Sequence, residues 1–391
     1  MDKNINVTRP SLPPYEEYTE LIKEIWESGW LTNFGPLENR LNRELKAYLD
    51  APNVTLFTNG HQALAAAVRL IAGNKAAEAG IEPDEAEIIT TPFTFISTTY
   101  SITEAGFKPV FADVDPVTYT LDPAAVEKLI NSKTAAILPV HVYGTLCDVD
   151  AFEAISRRYD IPVVYDAAHC FGVSRSGRGV ASFGAASMFS FHATKAYNTI
   201  EGGAVATADA ALAEALRAYC GFGLAGGTDV GVGGTNAKMT EFAAAMGICN
   251  LRHIDEVLEK RRGIHGVYTD ILTEGRSFDP ETGAVSGLEI KLLPQQRGVT
   301  RNYAYFPVVF KDSETALAVF SELSAHGVHA RRYFYPLTSS ALSVQKYAPA
   351  STPVAESIAD RVLALPFYAD LSAEDAAFIA QTIVGTLEKR G

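Results

Sequence analysis

At 391 residues the chain exceeds the length at which one hydrophobic core keeps growing, which points to two domains. Hydrophobic residues make up 47% and charged residues 20%, a globular composition that argues against a disordered or fibrous chain. The net charge of -13 opposes association with nucleic acid or an anionic membrane surface, so an anionic ligand needs a local cluster of Lys and Arg.

Residues 1–18 hold no apolar run of signal-peptide type, and Arg69 interrupts the apolar stretch at 63–72, so a soluble cytoplasmic protein is expected. Thr8-Arg9-Pro10-Ser11-Leu12-Pro13-Pro14 cannot be helical and reads as an extended arm that could lie on a partner subunit. Between about 50 and 220, β-branched and aromatic runs predict strands at 54–58, 87–91, 109–113, 135–142, 162–166, 187–191 and 203–207. Ala- and Leu-rich stretches predict helices at 62–71, 96–105, 123–130 and 149–159. Such alternation gives an α/β fold with a mostly parallel sheet wrapped by helices, whose ligands gather beyond the carboxyl ends of the strands. Further on, a long helical segment is predicted at 240–272, a strand at 304–310, a helix at 315–326, an extended run at 330–335 and a terminal helix at 373–388. These describe a smaller α+β domain at 251–391, after a large domain with its arm at 1–250. Cys147, Cys170, Cys220 and Cys249 are too dispersed for a CxxC ligand pair and read as reduced core thiols.

Three places along this scaffold carry residues suited to chemistry. Thr58-Asn59-Gly60-His61 is a strand, a Gly turn and a helix start, whose free amides suit a phosphate, although such turns also occur without a ligand. Asp166 ends an apolar strand, where an ionised carboxylate is costly without a cation. It could meet a protonated pyridine nitrogen or simply cap the next helix. Lys195 follows another apolar strand and precedes Glu201-Gly202-Gly203. There it is either a nucleophilic amine or a solvated surface cation.

Five motifs stand in order: Pro92-Phe93-Thr94-Phe95, Val140-His141-Val142-Tyr143-Gly144, Asp166-Ala167-Ala168-His169, Ser190 to Lys195 with Glu201-Gly202-Gly203, and Asn236-Ala237-Lys238-Met239. On these the chain resembles, over nearly its whole length, the DegT/DnrJ/EryC/StrS family of nucleotide-sugar aminotransferases. The resemblance implies an aspartate-aminotransferase type fold (fold type I) and pyridoxal 5'-phosphate as cofactor. It implies that Lys195 anchors the cofactor and moves the proton, and that Asp166 pairs with the ring nitrogen. His169 would contact the cofactor hydroxyl or ring face, Phe95 would stack on the cofactor, and Gly60, His61 and Ser190 would hold its phosphate. Asn236 would reach the phosphate of a neighbouring subunit, making a homodimer with shared active sites. The chain departs from the commoner pattern at His61, where a Thr is frequent, and at Lys238, where an Arg is frequent. His61 then meets the phosphate either through its side chain or through its backbone amide alone.

By the same resemblance the amino donor is glutamate and the acceptor a nucleotide-linked keto sugar. Lys238, Arg301, Arg331 and Arg332 are candidates for its diphosphate, or ordinary surface charges. Alternation along 331–337 would put Arg331, Tyr333 and Tyr335 on one face at the rim of the sugar nucleotide. Phe191-His192-Ala193-Thr194 before Lys195, with Glu201 before the Gly pair, resembles the branch that aminates the 4-position of a 4-keto-6-deoxyhexose, with dTDP as the expected nucleotide. The rivals are a 3-keto sugar aminotransferase of the same family and a cofactor-binding regulatory protein. Lys195 argues against the dehydratase branch, which carries a histidine there, and no basic stripe supports DNA binding.

Overall fold

The structure is a computed structural model and describes residues 4–390. Seven strands form its central sheet: β1 Asn53–Phe57, β2 Glu87–Thr90, β3 Lys108–Phe111, β4 Thr134–Leu138, β5 Val164–Asp166, β6 Ala186–Ser190 and β7 Gly203–Thr207. Their order across the sheet is β3-β2-β4-β5-β6-β7-β1, with β4 joined to β5 by parallel bridges at Ile137–Val163 and Val140–Asp166. All neighbours run parallel except β7, which is antiparallel to both β6 and β1. The mostly parallel sheet expected from the sequence is thus present.

The strands read as continuous apolar runs because both faces of the sheet are covered. Leu56, Ile89, Ile137, Tyr165, Phe189 and Ala204 point to one face, against Leu21, Ile25, Leu41, Leu45 and Ile248 of the helices Tyr15–Ser28, Pro36–Tyr48 and Glu241–Arg252. Their neighbours Phe57, Ile88, Leu138, Val164, Met188 and Val205 point to the other face, against Ala63, Ala67 and Ile71 of the helix Gly60–Ala79.

The segment expected as one helix at 240–272 is two, Glu241–Arg252 and Ile254–Thr273. The break falls at His253, whose backbone turns to φ -109, ψ 4 and whose ring is drawn 2.8 Å from Glu17 Oε1. The apolar packing changes partners across this second helix. Ile254 belongs to the sheet's core, whereas Ile264, Tyr268 and Leu272 pack with the helices Ser313–Ala325 and Ala373–Glu388. A four-stranded antiparallel sheet of Ala284–Val285, Ile290–Lys291, Pro307–Val309 and Val362–Ala364 completes that second cluster. Ile5–Asn6, just ahead of the arm at 8–14, pairs with Val328–His329 and ties this end of the described chain to its C-terminal half. All four cysteines are free and buried.

Candidate active site

The carboxyl ends of β1, β5 and β6 and the start of β7 meet at one edge of the sheet, and each brings a residue singled out from the sequence. Asp166, the last residue of β5, is 5% exposed. Its Oδ2 accepts from Thr98 Oγ1 at 2.8 Å and its Oδ1 from the Ala168 amide at 3.1 Å. Burial raises its pKa, opposed by those two hydrogen bonds and by the nearby charge of Lys195. The site therefore holds a carboxylate that a facing cation would stabilise in its charged form.

Lys195 is half-buried in the turns after β6, and its Nζ lies 3.4 Å from the Tyr305 hydroxyl. The turn is fixed by the Lys195 amide to His192 O at 2.9 Å, and by Phe191, whose amide reaches Gly202 O at 2.8 Å and whose carbonyl accepts from Thr199 at 2.9 Å. A methyl group at Gly202 would stand 2.0 Å from Thr199 Oγ1 and 2.8 Å from Met239 Cε, so any larger residue would have to displace those side chains.

His169, 7% exposed, accepts through Nδ1 from the Tyr143 amide at 3.1 Å. The ring is neutral, because burial, aided by the charges of Lys195 and His141, drives its pKa far down. The proton then sits on Nε2, as a donor. Tyr305 tilts against the ring at 4.8 Å.

The expected phosphate turn is closely built. Asn59 caps the helix Gly60–Ala79 by accepting from the Gln62 amide at 2.8 Å, and its carbonyl takes the Ala63 amide. The amides of Gly60 and His61 have no acceptor among the described residues. A Cβ on Gly60 would lie 2.8 Å from Ser190 Cβ, and one on Gly203 2.6 Å from Gly60 Cα. Two glycines and a serine thus converge where orphan amides emerge, a cradle for an anion. The His61 ring is turned to Ser97 Oγ (2.8 Å) and Glu104 Oε2 (2.7 Å), which leaves its amide as the group that faces the cradle.

Phe95 stands at the N-terminal boundary of the helix that carries Thr98 and is 59% exposed. Asn236 is exposed and accepts from Lys238 Nζ, which also sits 4.6 Å over the Phe222 ring. The Ala237 carbonyl between them takes the Thr58 amide at 2.7 Å, tying this segment to the phosphate turn.

The extended run at 330–335 is corrected by the structure. Only Arg331 pairs as a strand residue, with Ala364, and the chain then turns at Tyr333 and Phe334. Arg331, Tyr333 and Tyr335 therefore do not share a strand face. Tyr333 is half-buried against Tyr305 (6.3 Å) and Phe334 (5.4 Å), whereas exposed Tyr335 lies 3.5 Å beneath the Arg332 guanidinium. Arg332 also faces Asp360 at 3.7 Å, and Arg301 lies over Tyr303. Arg331 is exposed and close enough to Tyr333 for its charge to oppose the rise in that phenol's pKa caused by burial.

Sequence reasoning assigns no role to Thr98, Asn302 or Tyr305. Thr98 stands one helical turn after Thr94, which it meets at 2.9 Å, and three residues beyond Phe95, a spacing that could have flagged it. Asn302 and Tyr305 come from the other half of the chain, and no local signal pointed to them.

The model of the DegT/DnrJ/EryC1/StrS aminotransferase family matches residues 15–384. A dTDP-4-amino-4,6-dideoxy-D-glucose transaminase of Shigella dysenteriae is 36% identical over 98% of this chain and 99% of its own. One of the same name from Escherichia coli is 33% identical over 99% of this chain and 100% of its own. The crystal structure of DesI in the presence of its TDP-sugar product superposes with a TM-score of 0.88 at 31% identity, covering 100% of this chain and 95% of that one.

Proposed function

The chain belongs to the DegT/DnrJ/EryC1/StrS aminotransferase family, and from that premise we propose that it uses pyridoxal 5'-phosphate to move an amino group from glutamate to the 4-position of a dTDP-linked 4-keto-6-deoxyhexose. The observation that carries the proposal is a buried Asp166 at a strand end beside Lys195 and a two-glycine anion cradle. Each part fits one end of the cofactor. The orphan amides of Gly60 and His61, with Ser190 Oγ, suit the phosphate, while Asp166 suits a protonated ring nitrogen and His169 Nε2–H the hydroxyl or ring face. Bound there, the cofactor supplies an electron-accepting ring that eases loss of a proton from the carbon bearing the amine.

The protein's own residues do the rest. Thr98 and the Ala168 amide fix both carboxylate oxygens of Asp166 in one orientation, from which its charge would meet a protonated ring nitrogen. Lys195 anchors the cofactor, then takes the proton from the donor carbon and returns it, first with glutamate and in reverse with the keto sugar. Exposed Arg331, half-buried Tyr333 and Lys238 are the candidates to meet the sugar nucleotide. Arg332 and Tyr335, engaged with each other, would serve its rim. Asn236 completes the phosphate site of a second copy, which makes the active form a homodimer.

Both of these relatives are named for a 4-amino product, which supports the 4-position. No helix among the described residues is long and apolar enough to cross a membrane, and a cytoplasmic location accords with a nucleotide-sugar substrate. Supplying the holoenzyme and glutamate with dTDP-4-keto-6-deoxyglucose and, separately, with its 3-keto isomer tests the reading. NMR should find the new amine on carbon 4. Amination of the 3-keto sugar alone would overturn the regiochemistry and leave Lys195 and Asp166 in their roles.

A further inference from the structure

Among the described residues, the hydrogen-bonding partner of the Lys195 amine is Tyr305, at 3.4 Å from Nζ to the phenol oxygen. Tyr305 belongs to the segment leading into the small sheet, whereas Lys195 follows a strand of the large one. The phenol is boxed in by His169 at 4.8 Å, Tyr143 at 5.8 Å and Tyr333 at 6.3 Å. Three aromatic neighbours leave the ring little freedom and direct its hydroxyl at the amine.

The backbone before Tyr305 is held at unusual cost. Arg261 is 3% exposed; its guanidinium lies 5.0 Å over the Phe367 ring, and its hydrogen-bond acceptors among the described residues are the carbonyls of Tyr303 (2.8 Å), Ala304 (2.7 Å) and Phe367 (3.4 Å). Burial lowers its pKa to about 10. A buried cation without a carboxylate is an expensive way to fix two peptides, and those two immediately precede Tyr305. Asn302 binds from the other side: its Nδ2 donates to the carbonyls of His169 (2.8 Å) and Phe171 (3.0 Å). The segment that carries the phenol is therefore locked to the segment that carries His169.

Resting on the aminotransfer proposed above, we infer that Tyr305 is a positioning residue for Lys195: its hydroxyl holds the free lysine amine in the orientation from which the proton is taken and returned. A primary amine on a four-carbon stem has many rotamers, and proton transfer needs its lone pair aimed at one carbon. The aromatic box and the Arg261 and Asn302 clamps give the hydroxyl a fixed place, and the hydroxyl gives that to the amine.

The test uses Tyr305→Phe, which keeps the ring and its packing and removes only the hydroxyl. Two readouts are taken. In the stripped protein, the rate at which Lys195 captures pyridoxal phosphate is followed by visible absorbance across a pH series. In the holoenzyme, single turnover with glutamate and with α-deuterated glutamate gives the rate and the isotope effect of the proton step. The expected results are a displaced pH curve for capture, a loss in single-turnover rate of about 10- to 100-fold with little change in the glutamate concentration for half-maximal rate, and a larger isotope effect. Capture and single turnover that match wild type, or a slowed turnover whose isotope effect and capture curve are unchanged, would overturn the assignment. Failure of the wild type itself to turn over glutamate would sink the aminotransferase reading instead, and the capture curve would still decide the role of Tyr305.

Discussion

Replacing Glu38 by Gln should stabilise the protein at neutral pH and not in acid. Glu38 lies in the first turn of the helix Pro36–Tyr48, is 1% exposed, and has no hydrogen-bond partner among the described residues for either carboxylate oxygen. The free amides of that first turn at Leu37 and Glu38 donate instead to Glu241, at 2.8 and 2.9 Å. Burial therefore raises its pKa from 4.5 to about 6, against the pull of Arg217 at 3.6 Å and with the help of the Glu241 charge. A raised folded pKa means that the folded state holds the proton more tightly than the unfolded chain. The favourable contribution is fully present below pH 4.5 and is lost as pH rises through about 6. Above that, ionised Glu38 costs about 2 kcal/mol, since each tenfold gain in proton affinity on folding is worth roughly 1.4 kcal/mol. Gln keeps the shape without the charge, and half-exposed Arg217 still stacks on Phe34 at 4.0 Å. Urea melts of both proteins at pH 4, 5, 6, 7 and 8 should show a difference near zero at the acid end that opens to about 2 kcal/mol in favour of Glu38→Gln by pH 7. A difference that stays constant with pH, or a Gln variant less stable at pH 7, would show that the Arg217 pair outweighs burial and refute the reasoning.

Gly60→Ala would place a methyl 2.8 Å from Ser190 Cβ, and overpacking of that kind costs about 1–3 kcal/mol, so cofactor titration should show weaker capture in proportion. His61→Ala should leave cofactor affinity unchanged in the same titration, because the ring is occupied by Ser97 and Glu104. Asp166→Asn removes the charge proposed to face the ring nitrogen and should slow single turnover with glutamate by about 10²- to 10³-fold in stopped-flow absorbance. Asn236→Ala should weaken cofactor binding, and wild type is expected to sediment as a dimer; a fully active monomer on sedimentation would remove that role.

The seven sheet strands are legible in the sequence because each is a short, largely apolar run, six of them buried on both faces, and the ends of those runs mark Gly60, Asp166, Ser190 and Lys195. Helix identity is legible where caps are strong, as at Asp148 before Val149–Tyr159 and Ser372 before Ala373–Glu388. The break at His253 is not, since it depends on Glu17, more than two hundred residues away. Arg331 to Tyr335 alternates like a strand, but Phe334 is pulled in against Phe93, Tyr143 and His169, and this aromatic packing overrides the period. Tyr305 stays hidden for a related reason. Its partner Lys195 is 110 positions away in sequence, and nothing in the composition around it distinguishes it from core.

Whether Lys195 carries the cofactor and the proton decides the proposed function most directly. Single turnover of purified holoenzyme with glutamate, followed by visible absorbance beside Lys195→Ala and Lys195→Arg, measures this. Wild type should lose its lysine-linked absorbance as the amino group is transferred, while both variants should lack that absorbance and show no turnover. A variant that still forms the chromophore and consumes glutamate would place the anchor on another lysine and contradict the role assigned to Lys195.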